Sequence, residues 1–271
     1  MDRYLALIGR GIKRSRSPCI HKLFMRLYDI KGDYRLLDIG KQEIPETLAK
    51  LRQGEIFGLN ITIPYKTEVR KWCEEYSEEV AATGAVNTMR VSEGKLTCFL
   101  TDVHGFMRSV PSRLQKNKKG KALILGAGGA ARAVIHALML MGWDEVFVTS
   151  RTPRRIEELG ELFPWVRAYV QEFTGNFDMV VNATPVISKA LLKLMGKGPS
   201  ELIKEDGIYF DLNYFITWGC RSAQDAGLHY LCGDRMLIHQ AAEAFRVWFG
   251  VNPLDKIDVE SVMKECLDAQ D

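Results

Sequence analysis

The chain has 271 residues, 46% of them hydrophobic and 26% charged, with a formal net charge of +3 at neutral pH. That length and apolar share allow two modest domains with cores of their own, and so small a dispersed charge argues against nucleic acid as a partner. No apolar stretch has the length of a bilayer span and the N-terminus lacks the shape of a signal peptide, so a cytoplasmic protein that neither crosses nor sits on a membrane is expected.

Tyr4–Ile8 is a short apolar run ending at Gly9 and reads as a buried strand. Asp33–Ile39, Gly58–Ile63 and Asn87–Val91 read as further strands, each bounded by glycine, proline or charge. Between them Pro18–Tyr28 and Gln42–Arg52 show helical spacing, and a third helix is expected over Lys66–Glu75. The basic stretch Arg113–Lys121 has no interleaved aromatics and reads as a solvated linker. Beyond it Ala122–Leu125 is continuously apolar, as a parallel strand covered on both faces should be. A glycine loop and a helix to about Met141 follow, then strands over Glu145–Thr149, Met179–Val181 and Gly207–Leu212. At the C-terminus Val259, Val262, Met263, Cys266 and Leu267 form one helical stripe, with Asp258, Glu260, Lys264, Glu265 and Asp268 opposite.

The fold expected is α/β, in two domains with a cleft between them. Residues 1–101 and 238–271 would form an α/β substrate-binding domain, and residues 102–237 a doubly wound Rossmann domain. The six cysteines, Cys19, Cys73, Cys98, Cys220, Cys232 and Cys266, include no CxxC pair and read as reduced thiols. No cluster of His, Cys or carboxylates has metal-ligand spacing, so no metal is expected.

Gly126-Ala127-Gly128-Gly129-Ala130-Ala131 fits the GxGxxG/A loop between a strand and a helix. Gly126 makes the tight turn, Gly128 lets backbone approach a pyrophosphate, and the small Ala131 lets helix lie close to strand. Which dinucleotide binds is decided at the end of the next strand. NAD binders usually carry an acid there; this chain reads Thr149-Ser150-Arg151-Thr152-Pro153-Arg154-Arg155. A guanidinium suits a 2′-phosphate that a carboxylate would repel, so NADP is the expected cofactor, with Ser150, Arg151, Thr152 and Arg155 beside it.

Other short elements keep a fixed order along the chain. They are Ser15-Arg16-Ser17-Pro18-Cys19-Ile20-His21, Gly58-Leu59-Asn60-Ile61-Thr62-Ile63-Pro64-Tyr65-Lys66, Ala85-Val86-Asn87-Thr88 and Thr101-Asp102. The glycine loop through Arg132, Ser150-Arg151-Thr152, Asn182-Ala183-Thr184, Asp211-Leu212-Asn213-Tyr214 and Gly233-x-x-Met236-Leu237-x-x-Gln240 come after them. In this order, from about residue 9 to 250, they resemble the shikimate dehydrogenase family, the lysine-bearing element being the most specific. The resemblance implies NADP-dependent reduction of 3-dehydroshikimate to shikimate, in the route to aromatic amino acids. It implies Lys66 and Asp102 as the catalytic pair, Ser15 and Ser17 on the substrate carboxylate, and Asn87, Asp102 and Gln240 on ring hydroxyls. Asn60, Thr62 and Tyr214 complete the substrate set, and Thr184 and Gly233 the cofactor set.

These residue types suit the chemistry. A small polyhydroxylated acid is held by short hydroxyl and amide side chains, and a lysine ammonium can steady the charge that grows on a ketone oxygen and protonate it. Each residue alone also has a plainer reading. Ser15 and Ser17 before Pro18 would cap a helix, Asn87 would serve a turn, Gln240 would sit on a polar helix face, and Lys66 would be a surface lysine. Departures from the family pattern fall at Leu100, Lys22, Ser150, Pro185-Val186-Ile187 and Arg235, the last two beside the expected cofactor. A quinate/shikimate dehydrogenase using NAD or NADP and a non-catalytic ligand-binding regulator are the alternatives, and a monomer or homodimer is expected.

Overall fold

The protein is described from a computed structural model over residues 3–115, 120–170, 175–187 and 189–267. Residues 116–119 of the expected linker, and Asp268 of the C-terminal helix, lie outside the described residues. The chain divides into two compact units, one of residues 1–106 with 237–271 and one of residues 107–236.

The first unit begins with β1 (Tyr4–Gly9), α1 (Ser17–Leu27), β2 (Asp33–Asp38), α2 (Ile44–Arg52) and β3 (Ile56–Ile61). It continues with β4 (Glu75–Tyr76), α3 (Glu78–Thr83), β5 (Thr88–Ser92) and β6 (Lys95–Phe99), and enters α4 (Asp102–Ser109). Its six-stranded sheet has the order β2-β1-β3-β5-β6-β4. β1 runs parallel to β2 and β3, whereas β5 is antiparallel to both β3 and β6. That reversal brings the start of β5 and the end of β6 to the same edge as the carboxyl ends of β1 and β3, pairing Asn60 with Thr88 and Thr88 with Phe99.

The second unit holds β7 (Lys121–Leu125), α5 (Gly129–Leu140), β8 (Glu145–Thr149), α6 (Pro153–Leu162), β9 (Arg167–Ala168), β10 (Phe177–Asn182), α7 (Lys189–Met195), β11 (Ile203–Asp211), α8 (Trp218–Asp225) and β12 (His229–Leu231). Its sheet is parallel throughout and ordered β12-β11-β10-β7-β8-β9. This is the doubly wound dinucleotide-binding order, whose switch point falls between β7 and β10. Leu123, Leu125, Phe147, Phe177, Val180 and Tyr209 fill its core.

The chain then returns through α9 (Asp234–Phe249) and α10 (Val259–Cys266). On α9, Ile238, Ala241, Ala242, Phe245 and Trp248 are buried, the spacing of one helical face, and they share a core with Ile20, Phe24 and Val262. Trp248 donates Nε1–H to the Met89 carbonyl at 3.1 Å, and its indole packs close against β3 at Gly58.

Two expectations need correcting. Lys66–Glu75 is no α-helix but a 3-10 turn over Glu68–Trp72. Thr67, Val69 and Trp72 are weak helix formers, and the Glu74 amide is already bonded to the Leu96 carbonyl at 3.0 Å, so the chain enters the sheet too soon for further turns. Four of the six cysteines are not thiols: Cys19 is bonded to Cys266 and Cys73 to Cys98. These partners stand 247 and 25 residues apart, and only the packing of α1 on α10, and of the segment before β4 on β6, brings each pair together. The compact units divide after Phe106 and before Leu237, which puts Asp102 in the same unit as Lys66.

A Cβ at Gly58 would stand 2.5 Å from the Trp248 indole, far inside contact distance. Gly58→Ala should therefore lower stability by about 1–3 kcal/mol in urea unfolding, as overpacking of a rigid core does. A loss below about 0.5 kcal/mol, the size of a neutral surface change, would show that α9 is not seated on β3.

Candidate functional site

The shared strand edge of the first unit carries a chain of buried amides and hydroxyls. Asn60, at the end of β3, donates to the Asn87 carbonyl at 3.1 Å and to Thr88 Oγ1 at 3.0 Å. Asn87 donates to Thr101 Oγ1 at 2.8 Å and to Gln240 Oε1 at 3.2 Å, while its own oxygen accepts the Thr101 amide at 2.7 Å. Gln240 is fixed in turn by its amide on the Leu237 carbonyl, 2.8 Å away. Asn60 and Asn87 are 5% and 2% exposed, so they satisfy one another and not water.

Thr101, held at both ends by Asn87, delivers the next residue. Asp102 is the first residue of α4, where the helix dipole favours a carboxylate. Its Oδ2 lies 2.5 Å from Lys66 Nζ, with the aspartate side chain 7% and the lysine side chain 16% exposed. Lys66 sits just past the turn that ends β3. Tyr65 closes that turn with its amide on the Thr62 carbonyl at 2.9 Å, and anchors it with its hydroxyl on the Ile39 carbonyl at 2.7 Å. The Lys66 carbonyl accepts the Val86 amide at 2.8 Å. Lys66 is thus a mostly covered lysine paired with an acid 36 residues further on, and not a surface lysine.

Ser15 and Ser17 stand together at the start of α1, their hydroxyls 3.2 Å apart, with Ser15 Oγ also accepting the Ser17 amide at 3.3 Å. The N-cap residue of α1 is Arg16, and no side chain caps it in the usual way. The Ser17 hydroxyl reaches the Tyr34 phenol, whose proton goes to Asn60 Oδ1 at 2.8 Å. Burial pushes that phenol above its ordinary range. Tyr34 thereby joins the serines to the amide chain, a link that its ordinary strand setting in the sequence did not signal. His21 stacks on Tyr34 with ring centroids 4.5 Å apart; it is fully buried, and neither ring nitrogen has a hydrogen-bond partner. Burial lowers its pKa to about 3. Thr62 lies beside this edge with its amide on the Ile8 carbonyl at 2.9 Å. Tyr214 is not in this unit; it follows β11 in the second, its ring 6.1 Å from that of Phe215.

In the second unit the glycine loop crosses the switch point. Gly126 has φ of +112°, and a Cβ there would lie 2.8 Å from Thr184 Cγ2, so only glycine fits. Ala127 is buried beside it, and Gly128 is the N-cap of α5, with nothing within 4 Å of where its Cβ would be, leaving backbone open to a ligand. Gly129 and Ala130 form the first turn of α5, and Ala131 is fully buried against the strand. Thr184 is tied to Asn182 Oδ1 by its amide at 3.0 Å and its hydroxyl at 2.6 Å. Asp211, fully buried, accepts from Asn182, Tyr209, Asn213 and Thr217. Gly233 closes the same edge with its amide on the Asn213 carbonyl at 2.8 Å, and a Cβ there would strike the Leu212 carbonyl at 2.2 Å. Asp211 was not among the expected site residues, since its role depends on partners up to 29 residues away.

After β8, Ser150 Oγ accepts the Thr152 amide at 3.3 Å. Arg151 and Arg155 are exposed, and neither has an ion-pair partner among the described residues. Arg154 and Arg132 are drawn instead to Glu158, at 3.4 and 3.5 Å. No acid stands in the first turn of α6. Two free guanidiniums beside a helix N-terminus form a surface suited to a phosphate.

Three family models match successive parts of the chain. Residues 7–89 match the shikimate dehydrogenase substrate binding domain, residues 109–196 shikimate / quinate 5-dehydrogenase, and residues 235–263 the shikimate 5'-dehydrogenase C-terminal domain. The shikimate dehydrogenase (NADP(+)) of Caldicellulosiruptor bescii is 35% identical over 91% of this chain and 89% of its own length. Among solved structures, shikimate 5-dehydrogenase of Thermus thermophilus in complex with NADP(H) and shikimate is 34% identical, with a TM-score of 0.81 over 98% of each chain. Shikimate dehydrogenase of Aquifex aeolicus is 28% identical, with a TM-score of 0.85 over 98% of this chain and 97% of its own.

His21 gives the first unit a pH signature. With a folded pKa of about 3 against 6.5 when unfolded, the unfolded chain binds a proton here that the folded one does not, so stability falls as pH falls below 6.5. Above that value the position contributes no slope. Between about pH 6.5 and 5 the slope should approach 1.4 kcal/mol per unit in urea unfolding, and His21→Leu should flatten it. An equal slope in both proteins would mean that His21 is protonated in the fold.

Proposed function

The chain belongs to the shikimate dehydrogenase family, and we propose that it reversibly reduces 3-dehydroshikimate to shikimate with NADPH. The observation that carries this reading is the Lys66–Asp102 pair, 2.5 Å apart and largely withdrawn from water, at the end of a chain of amides and hydroxyls suited to ring hydroxyls. In this reading Ser15 and Ser17 hold the substrate carboxylate, with Asn60, Thr62, Asn87, Tyr214 and Gln240 on the rest of the molecule. The Ser17–Tyr34–Asn60 link sets the carboxylate-binding hydroxyls and the ring-binding amides in one register.

When bound, NADPH supplies the hydride that reduces the ketone carbon. The Lys66 ammonium faces the oxygen on which negative charge grows, stabilises it and delivers a proton. Asp102 keeps that ammonium pointed at the oxygen and accepts a hydrogen bond from a substrate hydroxyl. On the cofactor side, Gly126–Ala131 offers open backbone and the α5 N-terminus to the pyrophosphate, with Thr184 and Gly233 at neighbouring strand ends. Ser150, Arg151, Thr152 and Arg155 receive the 2′-phosphate, and the absence of a strand-end acid favours NADP over NAD. The reading includes a monomer or homodimer working in the cytoplasm. No helix among the described residues is long and apolar enough to cross a membrane.

The test is loss of NADPH absorbance with 3-dehydroshikimate, run beside NADH and beside quinate with the oxidised cofactors. The first pair should react and the others react far more slowly. Lys66 acts on charge present only in the transition state, so Lys66→Met should lower kcat by about 10²–10⁴-fold with KM nearly kept. Ser17→Ala should raise KM with kcat nearly kept, because it removes a contact made equally in ground and transition states. A folded Lys66→Met protein within about threefold of wild-type kcat would end the assignment.

A further inference from the structure

With Cys19–Cys266 and Cys73–Cys98 bonded, the two remaining cysteines have also found each other. Cys220 and Cys232 Sγ lie 3.7 Å apart in the second unit, between the first turn of α8 and the residue after β12. All six cysteines thus stand in three pairs, which incidental core thiols would not do. Cys220 is buried, with its amide on Thr217 Oγ1 at 3.3 Å. Cys232 is half-buried, the less covered of the two.

We propose that Cys220 and Cys232 form a reversible dithiol–disulfide site that reacts with small disulfides of the oxidised-glutathione type. The geometry supplies both parts such a site needs: a cysteine that is only half covered, and a second sulfur within about 2 Å of bonding distance to resolve the adduct. The pair loses its first proton readily. A proton shared between the two sulfurs lowers Cys220 to about 6 and holds Cys232 above its ordinary range. With a proton exchanged between neighbouring sulfurs, either can carry the thiolate that attacks.

The steps balance. The Cys232 thiolate attacks one sulfur of the reagent, forming a protein–glutathione bond as the reagent's own S–S bond breaks and releases one glutathione thiolate. The Cys220 thiolate then attacks Cys232 Sγ, forming the Cys220–Cys232 bond and releasing the second glutathione. The protein gives up two electrons and two protons, and one oxidised glutathione becomes two reduced ones. A small dithiol reverses the sequence.

The experiment uses the full-length protein equilibrated in glutathione buffers from reducing to oxidising, then denatured in N-ethylmaleimide and mapped by peptide mass without reduction. In the oxidising buffer the Cys220 and Cys232 peptides should be joined and free of maleimide. In the reducing buffer both should carry maleimide while Cys19–Cys266 and Cys73–Cys98 remain joined. Cys220→Ser should keep a glutathione on Cys232 at least about tenfold longer than the wild type does, since the resolving thiol is gone. Maleimide on both Cys220 and Cys232 in the oxidising buffer, a glutathione adduct that persists on the wild type, or Cys220 and Cys232 still joined in the reducing buffer would each overturn the proposal.

Discussion

Lys66 and Asp102 come from opposite ends of a long excursion through the sheet, and their ion pair organises the first unit. A charge this far withdrawn from water is tolerated only beside a partner held in good geometry. The fold meets that demand from both sides. Lys66 is placed by the turn that Tyr65 closes and anchors at Ile39, and Asp102 by Thr101, whose amide and hydroxyl are both bonded to Asn87. The antiparallel insertion of β5 is what makes this possible, because it brings Asn87 and Thr101 to the carboxyl end of β3. The same amides that fix the acid also fix one another and Gln240, so the Lys66–Asp102 pair rests on one internally satisfied network.

The second unit solves an equivalent problem with a different buried acid. Asp211 collects donors from β10, β11 and the start of α8, and so fixes Asn182, which fixes Thr184, against which Gly126 turns. The strand order places all of these at the switch point, where a dinucleotide is bound in sheets of this kind. In both units a buried carboxylate fixes the loops at the carboxyl edge of the sheet. Loops so fixed are preorganised, which is what transition-state stabilisation asks of them.

Local signals were the legible ones. The glycine loop is a contiguous stretch whose roles follow from backbone conformation, and the lack of an acid after Thr149 can be read without a fold. Lys66 and Asn60 sit in one short motif. The Tyr34 link was not legible, because Asp33–Ile39 reads as an ordinary strand and its importance depends on Ser17 and Asn60 elsewhere in the chain. The cysteines misled for the same reason: bonding partners 247 residues apart leave no spacing to recognise. The helix expected over Lys66–Glu75 failed because periodicity could not see that Glu74 is already committed to the sheet. What the sequence hid is what depends on contacts between distant segments.

The central claim is that Lys66 and Asp102 act as one unit on the reacting oxygen. The most direct measurement is a double-mutant cycle on kcat for 3-dehydroshikimate, which a ground-state contact of Asp102 with a substrate hydroxyl leaves unchanged, with Lys66→Met, Asp102→Asn and the combined variant, each checked for folding by circular dichroism. If Asp102 works through Lys66, losing the aspartate after the lysine has gone should change little, and the combined variant should lie within about threefold of Lys66→Met alone. Losses that multiply, with the combined variant falling by the product of the two single effects, would contradict the account and make the pair two independent contributors.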